Sequence, residues 1–121
     1  MYIQMKSGYV YYEKYGIGGE VGLKLLISKA IQKKLLEKHN VSPKEVFECF
    51  FNRTHSFLID KREEHKTDPI TKWFVSETDV GRKLKVCFIE TKDGIAIKTT
   101  FEPKPGVISL YFKVAKEEIE Q

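Results

Sequence analysis

The sequence has few of the residues that build metal sites and disulfide frameworks. Its 121 residues include two cysteines and three histidines, which lie far apart and lack the close spacing of zinc ligands. We therefore expect no metal and no cofactor. Cys49 and Cys87 fit small buried residues of a reducing compartment better than a disulfide, and this favours a cytoplasmic protein.

Long apolar runs and long blocks of like charge are also missing. No stretch approaches the length of a membrane span or of a signal-peptide core, so we expect no membrane partner. The glycine-rich segment 16–19 lacks the lysine and serine of a phosphate-binding loop. A net charge of +4 and a pI near 9.0 permit a nucleic-acid partner without indicating one.

The most informative local pattern is a junction between two helices. Asn40 can adopt the left-handed conformation that ends a helix, Ser42 is a good N-cap, and Pro43 suits the first helical position. Glu45 completes a capping box with Ser42. The pattern therefore predicts one helix that ends at His39 and a second that begins at Pro43.

Apolar periodicity defines the remaining elements. Ser28 caps the first helix, and the second helix extends to about Asn52. The predicted strands are Leu23–Ser28, Ser56–Asp60, Thr71–Thr78, Lys83–Thr91 and Ile95–Glu102. The polar segment 61–69 is predicted to be a surface loop. The tail, 107–121, fits either a strand or a helix and stays open.

Two predicted turns, at Val80-Gly81 and Asp93-Gly94, set an expected register for the strands. If each is a two-residue loop, the side chains divide strictly between two faces. The expected core face contains Trp73, Val75, Leu84, Val86, Phe88, Ile97 and Phe101. The expected polar face contains Ser76, Thr78, Lys83, Lys85, Cys87, Lys98, Thr100 and Glu102.

The chain divides into an N-terminal extension, 1–22, and a single domain, 23–121. Five of the six tyrosines lie in the first fifteen residues. We expect the extension to form a short strand or hairpin laid over the domain, with an interface arm as the alternative, because tyrosine is common at interfaces. The domain has the size expected for one hydrophobic core.

The segment Lys38–Val46 resembles the helix junction of the BrnT family of type II toxins, which is related in fold to RelE. The likeness covers roughly Leu23–Ala115. Further matching features are Trp73 at the start of a middle strand, the hairpin at Gly81-Arg82, the apolar strand Leu84–Ile89 and the last strand Ile95–Thr100. The resemblance implies an α+β fold with two N-terminal helices packed on one face of an antiparallel β-meander.

The resemblance also implies a function. BrnT-like toxins are metal-independent ribonucleases that activate the ribose 2′-hydroxyl and are held inactive by an antitoxin, so RNA and an antitoxin are the expected partners. Homodimerisation is left open. Such chemistry needs proton-transfer groups and cations near the phosphate. The catalytic candidates are His39, His65 and Lys98, and the nucleic-acid-binding candidates are Lys66, Arg82, Lys85 and Thr100.

One departure from the family pattern lies at Phe101-Glu102-Pro103. A carboxylate stands there where BrnT toxins carry a basic residue, so the phosphate would lose a partner. The segments 65–69 and 98–103 resemble an uncharacterised BrnT-related subgroup more than BrnT itself. The alternative function is a non-catalytic toxin-like binding module for a protein or nucleic-acid partner. The structural alternatives for the individual residues are an interaction of His39 with the helix dipole and a cross-strand ion pair of Lys85 with Glu102.

Overall fold

The computed structural model describes the backbone of residues 2–6 and 9–13 and the complete residues 23–61 and 69–118. The strands are β1 (Tyr2–Lys6), β2 (Tyr9–Glu13), β3 (Leu25–Ser28), β4 (Leu58–Ile59), β5 (Thr71–Glu77), β6 (Lys83–Thr91) and β7 (Gly94–Phe101). The helices are α1 (Lys29–His39), α2 (Pro43–Phe51) and α3 (Pro105–Val114). In these described residues no helix is long and apolar enough to cross a membrane.

The strands form one sheet in the order β1-β2-β3-β7-β6-β5-β4. Strands β5, β6 and β7 form the predicted antiparallel meander, but β3 lies parallel to β7, so the sheet is mixed. The α+β class is therefore confirmed. The two predicted helices are not N-terminal, because three strands precede them, and the tail adds the third helix, α3.

The N-terminal extension contributes backbone to the sheet. Strand β1 pairs with β2, and β2 pairs with β3, both antiparallel. The sequence predicts a hairpin laid over the domain, but β1 and β2 instead extend the sheet at its edge. Its tyrosine side chains lie outside the described residues, and the domain boundary at residue 22 stays a prediction.

The helix junction has the predicted caps. Asn40 ends α1 with φ 52° and ψ 45°, and its backbone N–H donates to the carbonyl of Leu36. Ser42 caps α2, and Glu45 closes the capping box by accepting a 3.0 Å hydrogen bond from the Ser42 backbone amide. These bonds satisfy the free backbone groups at both helix ends within a few residues of sequence.

The helices cover both faces of the sheet. Phe50 of α2 packs against Phe74 and Phe88, with ring centroids 4.7 and 5.3 Å apart. Tyr111 of α3 packs against Trp73 at 5.6 Å. Because neighbouring residues of a strand point to opposite faces, Trp73 and Phe74 place α3 and α2 on opposite sides of the sheet.

The connection between β5 and β6 is longer than the predicted two-residue turn. Glu77 pairs with Lys83, so residues 78–82 form the loop. Gly81 adopts φ +84°, a conformation that glycine tolerates and other residues avoid. Relative to the predicted turn, the pairing of β5 with β6 is therefore shifted by one residue. A shift of one residue moves each β5 side chain to the other face of the sheet relative to β6.

The shift corrects the predicted faces of β5. Trp73 and Val75 were expected on the core face with Phe88, but they lie on the α3 side and pair with Cys87 and Lys85. Ser76 was expected on the polar face, but it is buried on the α2 side opposite Leu84. The polar face predicted from sequence is therefore partly apolar and covered by α3.

A β-bulge between β6 and β7 changes the predicted faces of β7 as well. Phe88 pairs with Ile97, but Cys87 pairs with Thr99, so Lys98 is the extra residue in the ladder. Beyond the bulge, Thr100 faces the core and is fully buried, and Phe101 pairs with Lys85 on the α3 side. The predicted positions of Thr100 and Phe101 were therefore exchanged between the two faces.

Candidate functional site

The predicted site residues do not converge on one position. His65 and Lys66 lie outside the described residues. Thr100, expected to contact nucleic acid, has a fully buried side chain whose hydroxyl has no hydrogen-bond partner, so it is not available at the surface. The remaining candidates, His39, Arg82, Lys85 and Lys98, occupy three different environments.

Arg82 is bound entirely within the protein. Its Nη1 donates to the carbonyl of Asn40 at 2.8 Å and to Glu45 Oε2 at 2.9 Å, and its Nη2 donates to the carbonyl of His39 at 3.0 Å. Its Nη2 and Nε also donate to Glu102 Oε2 at 2.9 and 3.2 Å. A guanidinium has five N–H donors, and these five bonds use all of them.

The same contacts explain the carboxylate at position 102. Glu102 follows β7 and forms an ion pair with the guanidinium of Arg82. Glu45 of the capping box forms an ion pair with the same guanidinium through its Nη1 atom. Burial alone would raise the pKa of Glu45, but hydrogen bonds from the Ser42 amide and from Arg82 outweigh it, so this pKa lies below its ordinary value. Arg82 therefore joins α1, α2 and the end of β7.

Glu48 of α2 and Asn52, the C-cap of α2, hold the β5–β6 loop. Glu48 accepts a 3.0 Å hydrogen bond from the backbone amide of Asp79, and it is buried. The side-chain amide of Asn52 donates to the Glu77 carbonyl and to Asp79, both at 2.9 Å. Together with Glu45, Glu48 and Asn52 fix the loop that carries Arg82.

His39 lies at the end of α1 beside Phe101, with ring centroids 5.6 Å apart. Its carbonyl accepts from Arg82. A shallow depression here is lined by residues 37–40 together with Phe101 and Glu102. His39 is thus close to Glu102, and Phe101 also contacts Lys85, but Lys98 interacts elsewhere in the sheet.

Lys85 is the most unusual of the predicted residues. It is only 7% exposed, and its ammonium lies 4.3 Å from the centre of the Trp73 ring and 5.8 Å from that of Phe101. The predicted ion pair of Lys85 with Glu102 is not formed, because Glu102 binds Arg82 instead. Among the described residues, no oxygen or nitrogen accepts a hydrogen bond from the Lys85 ammonium.

Lys85 lies at the wall of a groove between α3 and the sheet. The groove has a volume of about 400 Å³, within the range of about 300–1,000 Å³ that small-molecule sites occupy. Its lining consists of Leu58, Ile59, Asp60, Lys61, Trp73, Lys85, Val107, Leu110 and Val114. We name this site the Lys85 groove.

Lys98 lies on the same face of the sheet as Lys85. Its ammonium donates to the hydroxyl of Thr71 at 3.1 Å, and Thr71 is the first residue of β5. The two lysines contact Thr71 and Trp73 of β5. These residues are two positions apart, so their Cα atoms are about 7 Å apart along the strand. The predicted register also placed Lys85 and Lys98 on one face, so this part of the prediction is confirmed, although the bulge at Lys98 was not predicted.

Sequence reasoning missed the residues that attach α3. The Tyr111 hydroxyl donates to the Ser56 carbonyl at 2.8 Å, and the ring of His55 lies 4.8 Å from that of Phe112. Arg53 forms an ion pair with Glu118 beyond the end of α3. A signal existed, because Ile108, Tyr111 and Ala115 have helical spacing, but the alternation of apolar residues in the tail fitted a strand equally well.

The described residues include no group of three or more histidines, cysteines or acids that could hold a metal. Both cysteines are buried and unpaired with each other, and burial raises the pKa of the Cys49 thiol to about 12. That thiol is therefore a poor nucleophile. The comparisons found no matching family model, no matching curated protein and no matching solved structure.

Proposed function

We propose that this protein is a non-catalytic binding module and that the Lys85 groove is its ligand site. The observation that carries the proposal is a lysine that is only 7% exposed, with its ammonium against an aromatic ring, beside a groove with mostly apolar walls. Small-molecule sites have this composition, in which apolar walls supply burial and a few polar groups fix orientation. The engagement of all five Arg82 donors gives further support, because it removes from the surface one cation that a phosphate would need.

Binding of an uncharged fluorescent dye should test the site independently of ligand charge. We expect Nile red to bind the wild type in a saturable, one-to-one manner, because the groove removes apolar surface from water. Leu110→Trp should weaken binding by about tenfold or more, since a larger ring fills the groove and each 1.4 kcal/mol of lost affinity is tenfold. The measurement is a fluorescence titration.

The matched control is Leu36→Trp, which makes the same exchange at an exposed leucine of α1 that does not line the groove. It should leave the dye affinity unchanged. Equal loss of binding in both variants, or no loss in either, would contradict the assignment of the groove as the ligand site.

A second candidate function is RNA cleavage by a BrnT-like toxin, with an antitoxin as its partner. One observation favours it: Lys85 and Lys98 lie on the face opposite α2, where their ammonium groups contact Trp73 and Thr71, two positions apart in β5. Two cations on one face of a sheet could flank a phosphate. Lys98 would then be the more accessible of the two.

Expression of the unaccompanied protein separates the two functions. The nuclease proposal predicts growth arrest with degradation of total RNA, and loss of both effects in Lys98→Ala, because phosphate charge would lose its accessible cation. The binding module predicts normal growth and intact RNA at high expression. Lys113→Ala, at the C-terminal end of α3, is the control for removing one surface charge.

A further inference from the structure

We propose that the ligand of the Lys85 groove is a small molecule with an elongated apolar body and one carboxylate, which binds the Lys85 ammonium. This inference rests on the proposed function and names its ligand class. An ammonium has three N–H donors, and an aromatic face attracts a cation without accepting those donors as an oxygen does. A carboxylate oxygen in the groove would accept a charge-assisted hydrogen bond from one of these donors.

The charge of the lining selects the charge of the ligand. Among the described residues that line the groove, Lys61 and Lys85 are cationic and Asp60 is anionic, so their formal charges sum to +1. A monoanion matches this sum. A phosphate monoester, with a charge of about −1.5 to −2 at neutral pH, would exceed it. The groove therefore fits a carboxylate better than a phosphate.

The shape of the lining selects an elongated body. Val107, Leu110 and Val114 recur at intervals of three and four residues along α3, so they form one row of about 10 Å. Leu58 of β4 lines the same groove across from the helix. Leu110 is 53% exposed and Val114 56%, so a ligand in the groove would cover apolar surface that now faces water.

The test compares three ligands that share an eight-carbon chain and differ in the head group: octanoate, octan-1-ol and octylammonium. Calorimetric titration of the wild type should show octanoate binding about tenfold or more tightly than octan-1-ol, the effect of one charge-assisted hydrogen bond. Octylammonium should bind most weakly, because its charge repels that of Lys85.

Lys85→Met keeps a long unbranched side chain and removes the ammonium. It should reduce octanoate affinity to that of octan-1-ol and leave octan-1-ol binding unchanged. Lys83→Met, two positions earlier on the same strand and face, is the matched control and should keep the wild-type preference. A cooperative thermal transition for each variant verifies that it is folded.

Equal wild-type affinities for octanoate and octan-1-ol, or a preference that survives in Lys85→Met, would overturn the inference. Nile red binding that depends on Leu110, without measurable binding of octanoate, would refute the ligand class and leave the proposed function standing. Failure of Nile red as well would refute the proposed function itself.

Discussion

Replacing Arg82 by alanine should lower the free energy of unfolding by about 3 kcal/mol, the scale expected for breaking a partly buried ion pair with several charged hydrogen bonds. The variant loses five donor bonds at once. It also leaves Glu45 and Glu102 without their shared cation and the carbonyls of His39 and Asn40 without a donor. The cost comes mainly from these groups that lose their partner.

Urea unfolding measures the effect of Arg82→Ala, and Lys83→Ala is the control at the next residue. Lys83 is exposed at the start of β6, so its removal should change the free energy of unfolding by no more than about 0.5 kcal/mol. A double-mutant cycle of Arg82→Ala with Glu102→Ala should give a coupling above about 0.5 kcal/mol. Equal free energies of unfolding for Arg82→Ala and Lys83→Ala would contradict the structural role of Arg82.

The pH dependence of stability gives a second readout of the same contacts. The pKa of Glu45 is lower in the folded protein than its ordinary value of 4.5. A carboxyl group of this kind contributes stability above its unfolded pKa, and the contribution is lost as the pH falls through its folded pKa. Arg82→Ala should therefore reduce the loss of stability in acid, because Glu45 then titrates closer to its unfolded value.

Replacing Tyr111 by alanine should cost about 3–5 kcal/mol, the usual effect of truncating a fully buried aromatic residue. Tyr111 is 0% exposed and packs against Trp73. It therefore forms part of the contact between α3 and the sheet. Its hydroxyl also ties α3 to the carbonyl of Ser56. The variant therefore weakens both the packing and the anchoring of α3.

Tyr111→Phe is the matched variant, because it keeps the ring and removes the hydroxyl. It should cost about 1 kcal/mol, the net value of one hydrogen bond with its carbonyl left unpaired. Trp73 is the single tryptophan of the chain, so its fluorescence in urea reports directly on the α3 side of the sheet. Equal costs for the two variants would show that the ring does not contribute the packing described above.

The helix junction could be predicted because its signals are local. Asn40, Ser42 and Glu45 act on backbone groups within a few residues, so the sequence pattern alone specifies the caps. The class of the fold followed from this junction and the strand patterns. The parallel pairing of β3 with β7 did not, because it joins segments that are distant in sequence.

The site was harder to predict because two small irregularities control it. The loop 78–82 shifts the register by one residue, and the bulge at Lys98 shifts it again. Together they bury Thr100 and place Lys85 beside Trp73. The role of Arg82 depends on contacts with residues about forty positions away, as the pairing with Asn40 shows, and no local pattern reports such contacts.

The open side of β5 is protected at both of its ends. The backbone amide of Asp60 donates to the Thr71 carbonyl at 2.9 Å, and the Asn52 side chain donates to the Glu77 carbonyl. Strand β4, which borders β5, has only two residues. Short edge strands are poor templates for the strands of other molecules, so the two-residue length of β4 disfavours edge-to-edge aggregation here.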